Sequence, residues 1–290
     1  MKKTRYILAI LLMTLSVTTR AQVQETEDMP AWPTTQTEED DEEEDESLAV
    51  GQEIMRRAQE GDAEAQLIVA KSLDFGSAGA VSKTEAVRWY TEAAMQGNAE
   101  AQYFLAIHCF RGEGTERSAT QAVKWCRQAA GQGYAEAQYT MGVCYAHGMG
   151  VSKSVEDAAD WWRKAAEQGN AEAQCEMGVY CQKEDTEGAS PEEAVRWYRL
   201  SAEQGNARAQ GYLGKCYYDG DGVRKSYTEA VKWYRMAAEQ GNAMAQNNLA
   251  ICYQEGQGVA KNEQEARKWF QMAARKGHEL ARGNLRAVSK

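Results

Sequence analysis

The chain is poor in the residues and motifs from which most active sites are built. Its three histidines, His108, His147 and His278, lie far apart, without the close spacing of a zinc site. There is no H-E-x-x-H and no G-x-x-x-x-G-K-[ST]. No serine is followed three residues later by lysine, and no G-x-S-x-G occurs, which removes the signatures of common serine β-lactamases and α/β-hydrolases. Basic charge is also short: Lys and Arg number 33 against 43 Asp and Glu, for a net charge of −10. That balance excludes the broad basic field of a general nucleic-acid binder. No stretch alternates as a half-buried strand does. After the N-terminus no apolar run approaches the length of a membrane span. The chain therefore reads as non-enzymatic, with no cofactor and no metal site.

What is present divides into three parts. Residues 1–21 read as a signal peptide: Lys2, Lys3 and Arg5, then an apolar run from Tyr6 to Val17, then small Thr19 and Ala21 before a cut. That predicts an exported protein, periplasmic or secreted, with no membrane span once the signal is removed. Residues 22–47 hold Pro30, Pro33 and an unbroken acidic run from Glu38 to Glu46. Such a segment buries little apolar surface and is expected to be a disordered acidic linker. Residues 48–290 are nearly neutral, so the acidity belongs to the linker.

This last part repeats. Gly61, Gly97, Gly133, Gly169, Gly205, Gly241 and Gly277 are spaced every 36 residues without insertion or deletion. Each Gly is followed four residues later by Ala, from Ala65 to Ala281, and in six copies by Gln at the next position, from Gln66 to Gln246. A Trp column runs through Trp89, Trp125, Trp161, Trp197, Trp233 and Trp269. A fixed period of this length marks stacked units that share one core, and the Trp column reads as packing between helices.

Each unit reads as two helices. Asp62, Asn98, Asn170, Asn206 and Asn242 suit the N-cap of a first helix; Tyr134 and His278 depart from the pattern. Small residues beside the apolar column (Ala106, Gly142, Gly178, Gly214, Ala250) allow a second helix to approach. Gly-x-Gly ends the first helix in four copies; the fourth unit has Glu184 and Thr186 there instead. Ser82, Ser118, Ser154, Ser190, Ser226 and Asn262 open the second helix, four of them as a Ser-x-x-Glu/Gln capping box. Pro191 falls at the first helical position. Ser47 to Glu60 reads as a leading helix. The expected fold is an all-α, α/α solenoid of six 36-residue units (61–96, 97–132, 133–168, 169–204, 205–240, 241–276), with 277–290 as a C-terminal cap helix.

These residues resemble the Sel-1-like repeat family, a relative of the tetratricopeptide repeat. The likeness lies in Ala135 to Gln138, Met141-Gly142, Tyr145, Gly148 to Val151, Ala158, Trp161 and Ala165 to Gly169, and is stronger still over Gly205 to Gln240. It implies a right-handed superhelix whose concave face holds proteins or peptides, often as an adaptor, and no shared catalytic activity. Some cysteine-rich exported members have been described as binding or slowly hydrolysing β-lactams, the alternative reading. Those relatives carry a disulfide between cysteines eight apart; here no two cysteines have that spacing.

The seven cysteines fall largely in repeat columns. Cys144, Cys216 and Cys252 share one offset, Cys109 and Cys181 the next, and Cys126 takes the place of Tyr90, Tyr198 and Tyr234. They read as small core residues, with Cys109 and Cys126 as the intramolecular pair to examine. Specificity then belongs to positions where the units differ. On the first helices four offsets share a face, and they give the candidate binding residues Phe104, Arg111, His147, Glu176, Tyr212, Lys215, Asp219, Asn248 and Glu255. Phe104 and Tyr212 are the expected aromatic anchors for a protein or peptide partner.

Overall fold

The computed structural model describes residues 38–76, 81–183 and 190–288. The signal, the linker as far as residue 37, and the unusual loop of the fourth unit with Glu184 and Thr186 lie outside the described residues. Among the described residues there is no strand. The helices are α1 (Glu38–Gln59), α2 (Ala63–Phe75), α3 (Lys83–Met95), α4 (Ala99–Arg111), α5 (Ala119–Gly131), α6 (Ala135–His147) and α7 (Val155–Glu167), followed by α8 (Ala171–Cys181), α9 (Pro191–Glu203), α10 (Ala207–Asp219), α11 (Tyr227–Glu239), α12 (Ala243–Glu255), α13 (Glu263–Arg275) and α14 (Glu279–Val288). Within each of the two units described below, consecutive helices pack pairwise, as expected of an α/α solenoid. The chain divides into two units, residues 1–137 with 148–152, and residues 138–147 with 153–290.

One boundary differs from expectation. The leading helix begins at Glu38, inside the acidic run, rather than at Ser47. Arg56 and Arg57 close its other end, where the helix dipole favours cations.

The caps decide where the other helices start. Asp62, Asn98, Asn170, Asn206 and Asn242 each accept a backbone N–H from the first turn. His278 substitutes for them, its Nδ1 accepting from Ala281 N at 3.3 Å. Ser118, Ser154, Ser190, Ser226 and Asn262 cap the second helices in the same way, each worth about 1 kcal/mol. Two points correct the capping-box expectation. Ser82 makes no side-chain cap bond. In five units, the first among them, the cap's own N–H does not go to the N3 side chain. It donates to a carbonyl of the preceding helix: Ser82 to Leu73, Ser118 to Cys109, Ser154 to Tyr145, Ser226 to Tyr217, Asn262 to Tyr253. The loop is thus tied back to the first helix.

The two glycines of Gly-x-Gly have different duties. Gly112, Gly220 and Gly256 end the first helix in the left-handed conformation. Gly114, Gly222 and Gly258 lie against the opening turn of the previous second helix. A Cβ there would sit 2.3 Å from Lys83 O, 2.1 Å from Pro191 O and 2.2 Å from Tyr227 O.

Packing explains the remaining columns. Met141, Met177, Leu213 and Leu249 are fully buried, and the Ala columns around them are nearly inaccessible. Burial of one such large side chain contributes roughly 1.5–3 kcal/mol. Gly142, Gly178 and Gly214 lie under the rings of Trp162, Tyr198 and Tyr234, where a Cβ would fall 2.3, 2.5 and 2.6 Å from ring carbons.

The Gln column is a hydrogen-bonded spine. Gln210 Nε2 donates to Ala202 O of the previous repeat at 3.1 Å, and Gln210 Oε1 accepts from Gln240 Nε2 at 2.8 Å. The second bond recurs at Gln96–Gln66, Gln132–Gln102, Gln168–Gln138 and Gln204–Gln174, at 2.7–2.8 Å. It ends at Gln246, which still donates to Ala238 O. Its buried Oε1 has no partner, because Lys276 holds the place of the next Gln.

Candidate functional site

In the N-terminal unit, Phe104 projects from α4 onto the buried Tyr90 of α3. Their rings stack at 5.3 Å and 17°. Phe75 meets Phe104 edge-on at 6.0 Å, and Lys71 Nζ lies 5.6 Å from its centroid. Beneath this stack is a buried polar group. Asp74 accepts from Lys83 Nζ at 2.7 Å and from the Tyr90 hydroxyl at 3.3 Å, and His108 Nε2 lies 3.2 Å away. The other His108 nitrogen faces Glu113 O at 2.9 Å. Burial raises the Asp74 carboxyl, but Lys83 and His108 outweigh it and hold it below the usual range. Arg111 is exposed at the end of α4, 4.0 Å from Glu113.

In the C-terminal unit the same stack recurs. Tyr212 of α10 lies on buried Tyr198 of α9 at 5.1 Å and 29°. The Tyr198 hydroxyl donates to Gln182 Oε1 at 2.8 Å. Arg208 covers Tyr212 at 5.7 Å and grips Glu176 of α8 with two nitrogens, at 2.6 and 3.1 Å. Such a forked pair fixes both side chains. The first of its bonds, to Glu176, raises the Arg208 pKa.

Further along, Lys215 Nζ donates to Asp219 Oδ2 at 2.7 Å. A cavity of about 150 Å³ opens beside this pair, lined by Lys215, Tyr218, Asp219, Tyr234, Asn248 and Ile251. Of the expected site residues, Lys215, Asp219 and Asn248 are therefore brought together. Phe104 and Tyr212 are half-buried ring partners within the protein. His147 and Glu255 are exposed at the ends of α6 and α12.

The sequence reading missed Tyr218, Tyr234 and Ile251 as cavity walls. The signal was there, but split. The Tyr column of the second helices, Tyr90, Tyr198 and Tyr234, is legible in the sequence, as are the rings Phe104 and Tyr212 on the first helices. The link between the two columns, one ring lying on the other, was not drawn.

The cysteines belong to the core. All seven are buried, and none is in a disulfide. Burial pushes the thiols of Cys144 and Cys181 up to about 11, and those of Cys175, Cys216 and Cys252 to about 12. Cys109 and Cys126, the pair singled out above, are not bonded to each other. Among the described residues no group of His, Cys, Asp or Glu could hold a metal ion, and no helix is long and apolar enough to cross a membrane.

The repeat frame seen in the fold matches a known family, the Sel1 repeat, at residues 63–98, 99–134, 135–170, 171–206, 207–242 and 243–278. The chain belongs to the Sel1 repeat family. Proteins built of Sel1 repeats generally mediate protein–protein interactions, and the scaffold is typically non-enzymatic. Among solved structures, the chain is similar to c5321, a protective antigen of uropathogenic Escherichia coli with an SLR fold, at 30% identity and a TM-score of 0.73. That match covers 82% of this chain, which spans only 50% of the E. coli protein. A Sel1 repeat protein from Oxalobacter formigenes is also 30% identical, with a TM-score of 0.70, over 81% of this chain and 93% of the other. No curated protein matches the chain.

Proposed function

We propose that this Sel1 repeat protein is an exported interaction scaffold that binds a protein or peptide partner in the cell envelope through the variable face of its first helices. The observation that carries the reading is the cavity at Lys215, Asp219 and Asn248, where the varying positions of α10 and α12 meet. Around it the repeat columns are consumed by architecture: caps, glycine contacts, the Gln spine and buried thiols. Export rests on the basic and apolar N-terminal residues of the sequence. The acidic run would then stand between the signal and the repeats, as a spacer.

Two measurements test this. Affinity capture from the envelope fraction with the full-length chain, read by mass spectrometry, should recover a partner that Lys215→Ala with Asn248→Ala releases. Fractionation of producing cells should place the chain outside the cytoplasm, shortened at its N-terminus. Equal recovery by the wild type and the double variant would remove the binding face, and a full-length cytoplasmic chain would remove the export reading. Nitrocefin turnover by the purified protein should not exceed that of buffer.

A further inference from the structure

We infer that the cavity between α10 and α12 is a receptor for an aromatic side chain of the partner. It lies at a position equivalent to two ring-on-ring stacks that the protein makes itself.

The equivalence is set by two columns. Buried tyrosines stand at Tyr90, Tyr198 and Tyr234 on the second helices. Fourteen residues after each, on the next first helix, stand Phe104, Tyr212 and Asn248. At the first two places the later residue lays its ring on the tyrosine, at 5.3 and 5.1 Å, nearly parallel. At the third the short Asn248 amide replaces the ring and hydrogen-bonds the Tyr234 side chain; the 150 Å³ cavity lies beside them, with the almost fully buried Tyr234 in its wall. A cavity of about that volume is enough to hold a benzene ring. The nearest ring to Tyr234 is Tyr218, tilted at 50° and 6.4 Å, and its hydroxyl is already engaged by Gln257 Oε1 at 2.6 Å. Ile251 supplies an apolar wall, while Lys215, Asp219 and Asn248 supply polar ones. An apolar slot with a few convergent polar groups is the usual form of a specific pocket, and an aromatic anchor in such a pocket commonly dominates a peptide interface. The occupant is a partner segment carrying tyrosine or phenylalanine, with Lys215 and Asp219 placed to meet its hydroxyl or backbone.

The inference rests on the proposed binding face but is tested apart from it. The probe is N-acetyl-L-tyrosinamide, titrated into the full-length chain by NMR with N-acetyl-L-alaninamide as control. The expected dissociation constant is on the order of 1 mM for the tyrosine probe, with no saturable shift from the alanine probe. Asn248→Phe supplies the missing ring as Phe104 does, and should weaken the probe at least tenfold while circular dichroism stays unchanged. Should Asn248→Phe fail to fold, wild-type protein still decides the matter: nuclear Overhauser contacts are expected from the probe ring to the Ile251 methyls. Absence of those contacts, or equal affinity for the two probes, overturns the inference. A partner captured by the wild type and released by other changes on the same face would then leave the binding scaffold standing without this pocket.

Discussion

Lys276→Gln should stabilise the last repeat. The Gln spine stops at Gln246, whose Oε1 is buried without a hydrogen bond. In every earlier repeat the residue thirty positions on is a Gln that donates to this oxygen at 2.7–2.8 Å. Lys276 instead sends its ammonium to Gly241 O at 2.8 Å, in an exposed position. Leaving a buried acceptor unmet costs about 1–3 kcal/mol, and an exposed bond of the kind Lys276 makes contributes a few tenths. The substitution should therefore gain about 1 kcal/mol. Urea unfolding reports the total, and amide exchange in α12 and α13 reports it locally, where protection should rise about fivefold. Lys276→Met is the control, since it removes the lysine bond without supplying an amide. If the Gln variant proves no more protected than the Met variant, the spine is a packing coincidence and the energetic argument fails.

Other outcomes follow from the same geometry. Gln210→Ala loses two bonds and leaves the Gln240 amide without its acceptor, whereas Gln246→Ala loses one; the first should cost about 1 kcal/mol more in urea unfolding. Gly214→Ala should destabilise by about 1–3 kcal/mol despite the better helix propensity of alanine, because its Cβ would lie 2.6 Å from the Tyr234 ring; a neutral result would show that α10 and α11 can separate freely. Asp74→Asn should cost about 3 kcal/mol at pH 7 by stripping the buried partner from Lys83 and His108. The Asp74 carboxyl is held below its usual range, so its contribution is complete above about pH 4 and fades as pH falls further. The gap between wild type and variant should accordingly narrow at pH 3, and a gap that stays constant would contradict the assigned charge pair.

Much of the fold was legible because its causes are local. A cap residue, a left-handed glycine and a 36-residue period each leave a mark in a single repeat. The small column at Gly142, Gly178 and Gly214 was readable too, as room for a facing helix. The spine was not, although its glutamines were noted. Its bonds join Gln210 to the Ala202 carbonyl eight residues back and to the Gln240 side chain thirty residues on, and only coordinates show such pairs meeting. The cap N–H bonds to Leu73, Cys109 and Tyr217 escaped for the same reason. For the candidate site, variation between repeats pointed to Lys215, Asp219 and Asn248. It also nominated Phe104 and Tyr212, since a column of varying residues does not tell a ring offered to a partner from a ring resting on its neighbour.

The spine also bears on how such an array changes in length. A copied segment of 36 residues carries its own acceptor, as at Gln210, and its own donor, as at Gln240, and leaves the Ala238 carbonyl ready for the following copy. Duplication or loss of a whole unit therefore breaks no bond at the new junction, while a segment one residue longer or shorter would leave a donor and an acceptor facing nothing. The unbroken spacing from Gly61 to Gly277 keeps the donors and acceptors of successive units in register.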